Sequence, residues 1–168
     1  DIFLNNRNVT EMLSADYTYM NERLALHYGN QTVKGDVFRK VPVLDPDRYG
    51  LLGKGGVLMV SAYPDRTSPV LRGAYVLEHL TGTPPPLPPP NVEALPENKL
   101  GDQPKTVRGR LEAHRDNPSC GGCHGIIDPL GFALDGFDAV GRSRTVDRMA
   151  GIPIDTYGVL PDGTDITG

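Results

Sequence analysis

Cys120-Gly121-Gly122-Cys123-His124 is the stretch from which the rest of the chain is read. Two thiols separated by two residues, with an imidazole directly behind them, match the C-x-x-C-H spacing that attaches a c-type haem. The thiols add across the two vinyl groups of one porphyrin, and the following His is placed to reach the iron. These are the only two cysteines, so the whole thiol content is committed to one motif. Three other readings stand beside it. A thioredoxin-type redox pair needs a strand before it, whereas a charged helical stretch precedes this one. A zinc site built on Cys120, Cys123 and His114 lacks a fourth ligand at the usual spacing. A local disulfide needs no further partner.

The 168 residues amount to about one domain, enough for a core. Gly 20 and Pro 16 against a hydrophobic fraction of 38% predict long stretches of turn and extended connection. A net charge of −4, without a run of Lys and Arg, gives no electrostatic case for nucleic acid. No apolar stretch is long enough to span a bilayer. The ends, Asp1-Ile2-Phe3-Leu4 and Asp162-Gly163-Thr164-Asp165, read as those of a fragment from a longer mature protein. Covalent haem attachment normally takes place outside the cytoplasmic membrane, so the motif implies a periplasmic or extracellular setting.

Outward from the motif, Thr106 to Asn117 is predicted to be a charged helix with Val107, Leu111 and His114 on one side, ended by Asn117-Pro118-Ser119. Beyond the motif, Asp128-Pro129 reads as a cap and first helical position. It opens a helix through Leu130, Ala133, Leu134, Phe137 and Val140 that Gly141 closes. Ser68-Pro69 is the same kind of start, for a helix running to about Leu80 and stopped by Gly82. Leu51 to Val60 is an apolar, glycine-rich candidate helix carrying Met59.

In the N-terminal part, Val9 to Tyr28 shows helical spacing of Leu13, Tyr17, Met20, Leu24, His27 and Tyr28, as one broken helix or two short ones. Thr32 to Leu44 reads as one or two short strands, and Asp45 to Gly50 as a turn. Pro-Pro-Pro-Leu-Pro-Pro-Pro at 84–90 fixes a polyproline II path. Ile152 to Gly163 reads as an extended pair of strands with turns.

Three groups of residues carry the resemblance to a known family. They are Tyr63-Pro64-Asp65-Arg66-Thr67-Ser68-Pro69-Val70-Leu71-Arg72-Gly73, the tract Gly82-Thr83-Pro84-Pro85-Pro86, and the run from Arg110-Leu111-Glu112-Ala113-His114-Arg115 through the thiol motif to Ile127-Asp128-Pro129-Leu130-Gly131-Phe132-Ala133-Leu134. With Ala15-Asp16-Tyr17-Thr18 and Asn21-Glu22-Arg23-Leu24-Ala25, they resemble the C-terminal cytochrome c-type region of large planctomycete-type proteins built from domains of unknown function. The resemblance implies a haem c and an exported setting and names no substrate. Ser143 departs from it, since an aromatic is expected between Arg142 and Arg144.

The expected fold is therefore mainly α, irregular and loop-rich, with c-type cytochrome-like helices around one haem and short strands or hairpins. Residues 1–82 form a mainly helical segment packing on the haem region, 83–104 a proline-rich connector, 105–150 the haem-binding helices, and 151–168 the start of a further β-containing segment. Cys120 and Cys123 hold the haem. His124 ligates iron through Nε2, its other ring nitrogen donating to a backbone carbonyl in the Asp128 to Leu130 turn. Arg66, just before the helix that Ser68-Pro69 opens, and Arg72, one turn into it, are candidates for the haem propionates, with solvated surface arginines as the alternative. His27, Met59 and Met149 are candidate sixth ligands, His27 equally well a core histidine bonded to a neighbour; His114 is the weakest, lying too near the motif.

A filled sixth position points to one-electron transfer with a redox partner protein or domain. An open one points to a haem enzyme of peroxidase or oxygenase type using a distal group such as His27. A third reading is a scaffold that haem staples together.

Overall fold

A computed structural model of the chain describes residues 1–88, 90, 95, 96, 98, 103 and 105–168. The short helix α1 (Glu11–Ser14) leads into strand β1 (Tyr17–Met20), helix α2 (Glu22–His27) and strand β2 (Arg39–Pro42). β1 and β2 pair antiparallel, Tyr17 opposite Pro42 and Met20 opposite Arg39. Met20, Ala25, Val33 and Val41 bury a small core between this ribbon and α2, with Leu24 and Tyr28 packed against it.

The ribbon corrects the expectation of a helix through Val9 to Tyr28. Tyr17-Thr18-Tyr19 is aromatic and β-branched, suited to a pleated, half-buried surface, and Asn21 restarts the chain as a helix by accepting from the Leu24 amide at 3.0 Å. Leu13, expected on the buried side, is exposed.

A single 3₁₀ turn, Pro46–Arg48, occupies the predicted turn at 45–50. Helix α3 (Gly55–Val60) is shorter than the apolar stretch that suggested it. Helix α4 (Pro69–His79) begins where the sequence predicts: Pro69 is its first residue, and Ser68 Oγ accepts from the Leu71 amide at 3.2 Å. The polyproline expectation lies partly outside the described residues; 83–88 carry no regular element.

Helix α5 (Val107–Arg115) is capped by Thr106, whose Oγ1 accepts from the Gly109 amide at 2.9 Å. The strands β3 (Gly158–Val159) and β4 (Asp165–Ile166) pair antiparallel near the C-terminus.

Helix α6 (Pro118–Ala133) organises the second half. It begins at Asn117, whose side chain accepts from Ser119 N at 3.0 Å, with Pro118 as its first residue. It then runs through Asp128-Pro129 without a break, correcting the helix start expected there. Pro129 removes one helical hydrogen bond, the one that would go to the carbonyl four residues back. That residue is Gly125, which has open space around it.

α4, α5, β3 and β4 all pack on α6. α4 approaches it most closely, and glycine makes this possible: a Cβ on Gly73 would collide with the Ile127 carbonyl, and one on Gly131 with the Pro69 carbonyl. These two contacts run in opposite chain directions, so the helices are antiparallel. Leu111 of α5 and Phe132 of α6 are almost wholly buried beside them.

The expected extension of α6 to Val140 does not form. Arg72, with no exposed surface, reaches from α4 and donates to the carbonyls of Leu134 at 2.7 Å, Phe137 at 2.8 Å and Asp138 at 2.7 Å. One of these is the C-cap carbonyl of α6 and the other two belong to the loop behind it, so a buried guanidinium gathers the chain just past the helix end. The chain then turns back, with Phe137 bridging to Ser143.

Candidate functional site

Helical geometry places residues i, i+3 and i+4 on one side, so Cys120, Cys123 and His124 share one flank of α6. Both cysteines are free thiols, half-buried rather than sealed in the core. The element leading into them is the helix α5, which removes the strand that a thioredoxin-type arrangement needs. Among the described residues, no group of three or more His, Cys, Asp or Glu side chains is arranged to hold a metal ion.

His124 is oriented by a residue one turn further along the same helix. Its Nδ1 lies 2.9 Å from Oδ1 of Asp128, which has no exposed surface. With the proton on Nδ1 donated to the carboxylate, Nε2 keeps its lone pair and has no protein hydrogen-bond partner among the described residues. The expectation of a backbone carbonyl partner is thus corrected: the acceptor is the Asp128 side chain. The helix continues through this point instead of forming the expected turn.

The second Asp128 oxygen, Oδ2, is buried without a hydrogen bond, and Arg115 Nε stands 3.8 Å from it. Burial pushes the Asp128 carboxyl above its ordinary range, while His124, Arg115 and His114 pull it back. His114 meets His124 edge-on, ring centroids 4.9 Å apart, and of the four candidate second ligands it is the one in ring contact with His124.

Elsewhere the structure redistributes the candidates. His27 and Met59 do come together, in a cleft of ≈ 1080 Å³ bounded by α2, α3 and Val140 and Arg142. His27 Nε2 lies 2.8 Å from the Val140 carbonyl and so donates to it, as a bonded structural histidine does. α2 and α3, which carry these two residues, are not among the elements packed closely on α6. Met149 sits exposed on a turn whose amides are held by Asp147.

The expected pairing of Arg66 with Arg72 is not formed. Arg66 is a surface residue, joined to Asp65 at 3.2 Å and lying over the Tyr63 ring. Arg72 spends its terminal nitrogens on three main-chain carbonyls, which corrects the propionate role to a structural one. Burial pulls its guanidinium down to about 10, leaving it charged at neutral pH. Arg144 is committed too, to Asp135 and Thr67. Arg48, buried between the rings of Tyr28 and Phe137, donates to Ser143 Oγ at 2.9 Å, so the departing serine is a working hydrogen-bond partner.

Sequence reasoning missed Asp128 as a functional side chain. The signal was present as His124 and Asp128 at i, i+4, neighbours on a helix surface. It was masked because Asp-Pro also reads as a helix start.

Fold and site together define a mainly helical, loop-rich module that displays two free thiols and a carboxylate-held imidazole on one flank of its central helix. The chain belongs to the family described as PSCyt3, protein of unknown function (DUF1588), whose model matches residues 48–147. That match takes in α3 to α6 and with them the whole thiol flank; the family's name points to a cytochrome-related domain. No curated protein and no solved structure matches the chain. Among the described residues, no helix is long and apolar enough to cross a membrane.

Proposed function

We propose that the chain is a c-type cytochrome module that carries one covalently attached haem and passes single electrons to or from a redox partner protein or domain in an exported setting. One observation carries the reading. Two unbridged thiols share a helical flank with an imidazole whose Nδ1 is already held by Asp128, so its Nε2 is free to ligate. A histidine destined for a metal donates its other nitrogen to a carboxylate, carbonyl or water, which sets tautomer and ring plane. Bound there, haem supplies reversible one-electron chemistry at iron.

The protein's own part is to position and to insulate. Cys120 and Cys123 hold the porphyrin edge, and His124 is kept in the tautomer that offers Nε2. α4 and α5, packed along α6, hold that helix rigid by closely fitted glycines and the buried Leu111. Rigid support of this kind keeps the reorganisation between redox states small.

A second reading, a haem enzyme of peroxidase or oxygenase type, draws on the placement of His27 and Met59. Both line the α2–α3 cleft, and His27 is already bonded to Val140. If none of His27, Met59, Met149 and His114 reaches the iron, the far side is open to a small ligand.

Optical spectra of the protein made with c-type maturation, oxidised and reduced, with carbon monoxide added to the reduced form, decide between the two. A low-spin spectrum indifferent to carbon monoxide is expected for electron transfer. Ready carbon monoxide binding would move the enzyme reading to the front.

A further inference from the structure

We propose that Asp128 is a positioning residue that sets the electron affinity of the iron through His124, holding the couple toward the oxidised state. The inference rests on the haem reading above and deepens it.

A carboxylate accepting from Nδ1–H draws that proton toward itself and makes the imidazole a stronger donor at Nε2. A stronger donor favours ferric over ferrous iron, so the reduction potential falls. A neutral amide in the same place accepts more weakly, and the potential rises. The structure makes this coupling strong for three reasons. The hydrogen bond is direct, with an ordinary donor–acceptor distance of 2.9 Å. The carboxylate has no exposed surface, so water does not screen it. And Oδ2 has no hydrogen bond of its own, so little of the charge is dissipated elsewhere.

Arg115 supplies a counterweight. Its Nε stands 3.8 Å from Oδ2, close enough to damp the carboxylate's charge but beyond hydrogen-bonding reach. Its guanidinium also lies 5.9 Å from the centre of the Phe132 ring, which keeps it near the carboxylate. Asp128 and Arg115 thus push His124 in opposite directions, and the pair is a built-in setting for the potential.

The test is a potentiometric titration of the haem-loaded chain and of Asp128→Asn, Asp128→Glu and Arg115→Gln, with covalent haem checked by in-gel staining. Partners behind a metal-ligating histidine typically carry 10–100-fold effects. Asp128→Asn is therefore expected to shift the ferric–ferrous balance about tenfold toward ferrous, a rise of about 59 mV for a one-electron couple. Asp128→Glu restores a carboxylate and brings the potential back toward wild type. Arg115→Gln lowers it. An unchanged potential in an Asp128→Asn protein that retains covalent haem overturns the inference and leaves the haem reading standing. Should that variant fail to fold, a potential that does not fall in Arg115→Gln overturns it equally. Wild-type chain without covalent haem removes the haem reading, and the inference falls with it.

Discussion

The two halves of α6 are built for opposite purposes. From Ile127 to Phe132 the helix is buried at every position but the half-buried Leu130, notched by Gly131 against α4, and its end is tied down by Arg72. From Pro118 to Ile126 the same helix is at most half-buried, and Gly122 and Gly125 have nothing near them. The two thiols are unbridged, and His124 keeps one nitrogen unused. One rigid rod is anchored at one end and presents chemistry at the other, with Asp128 at the junction. A helix that only packed would bury both halves, and one that only displayed residues would have no fixed geometry to display.

That contrast is open to direct attack. Arg72→Met should do most damage: it leaves the Phe137 carbonyl without a partner in the interior and those of Leu134 and Asp138 with only the Phe137 and Gly141 amides, at a cost of about 2–4 kcal/mol in denaturant unfolding. A loss near zero would mean that the end of α6 needs no such clamp. Gly131→Ala should cost about 1–3 kcal/mol, because the new methyl meets the Pro69 backbone rather than a side chain that can yield. The same change at Gly122, in the presenting half, should stabilise by about 0.5–1 kcal/mol through the lower backbone entropy of Ala in a helix, and leave haem retention as it was. If both glycine substitutions moved stability in the same direction, the division of α6 into two halves would be lost.

The parts readable in sequence were those set locally. Ser68-Pro69 starts α4 as its cap predicts, because a side-chain oxygen and a fixed φ act on the nearest amides whatever surrounds them, and α5 begins beside Thr106 where the charged helix was expected. The thiols and His124 fall on one flank because they are close in sequence. What escaped reading depends on distant partners. Asn117-Pro118 and Asp128-Pro129 look alike as helix starts; only the first is one, since the Asp128 side chain is taken by His124 and α6 continues past Pro129. Arg72 read as a propionate partner or a solvated surface arginine because nothing local reveals that three carbonyls sixty-odd residues away converge on it. Tyr17 to Met20 carry helical spacing by coincidence and become a strand because β2 lies alongside. His27 and Met59 were candidate ligands by residue type, but their companion is the Val140 loop.

The central claim is that the presenting half of α6 holds haem covalently. Haem staining after denaturing electrophoresis tests it most directly, comparing wild type with the Cys120→Ala/Cys123→Ala double variant, both made with c-type maturation. A stained wild-type band and an unstained variant are the predicted result. A wild-type band without stain, or a double variant that retains it, would contradict the account.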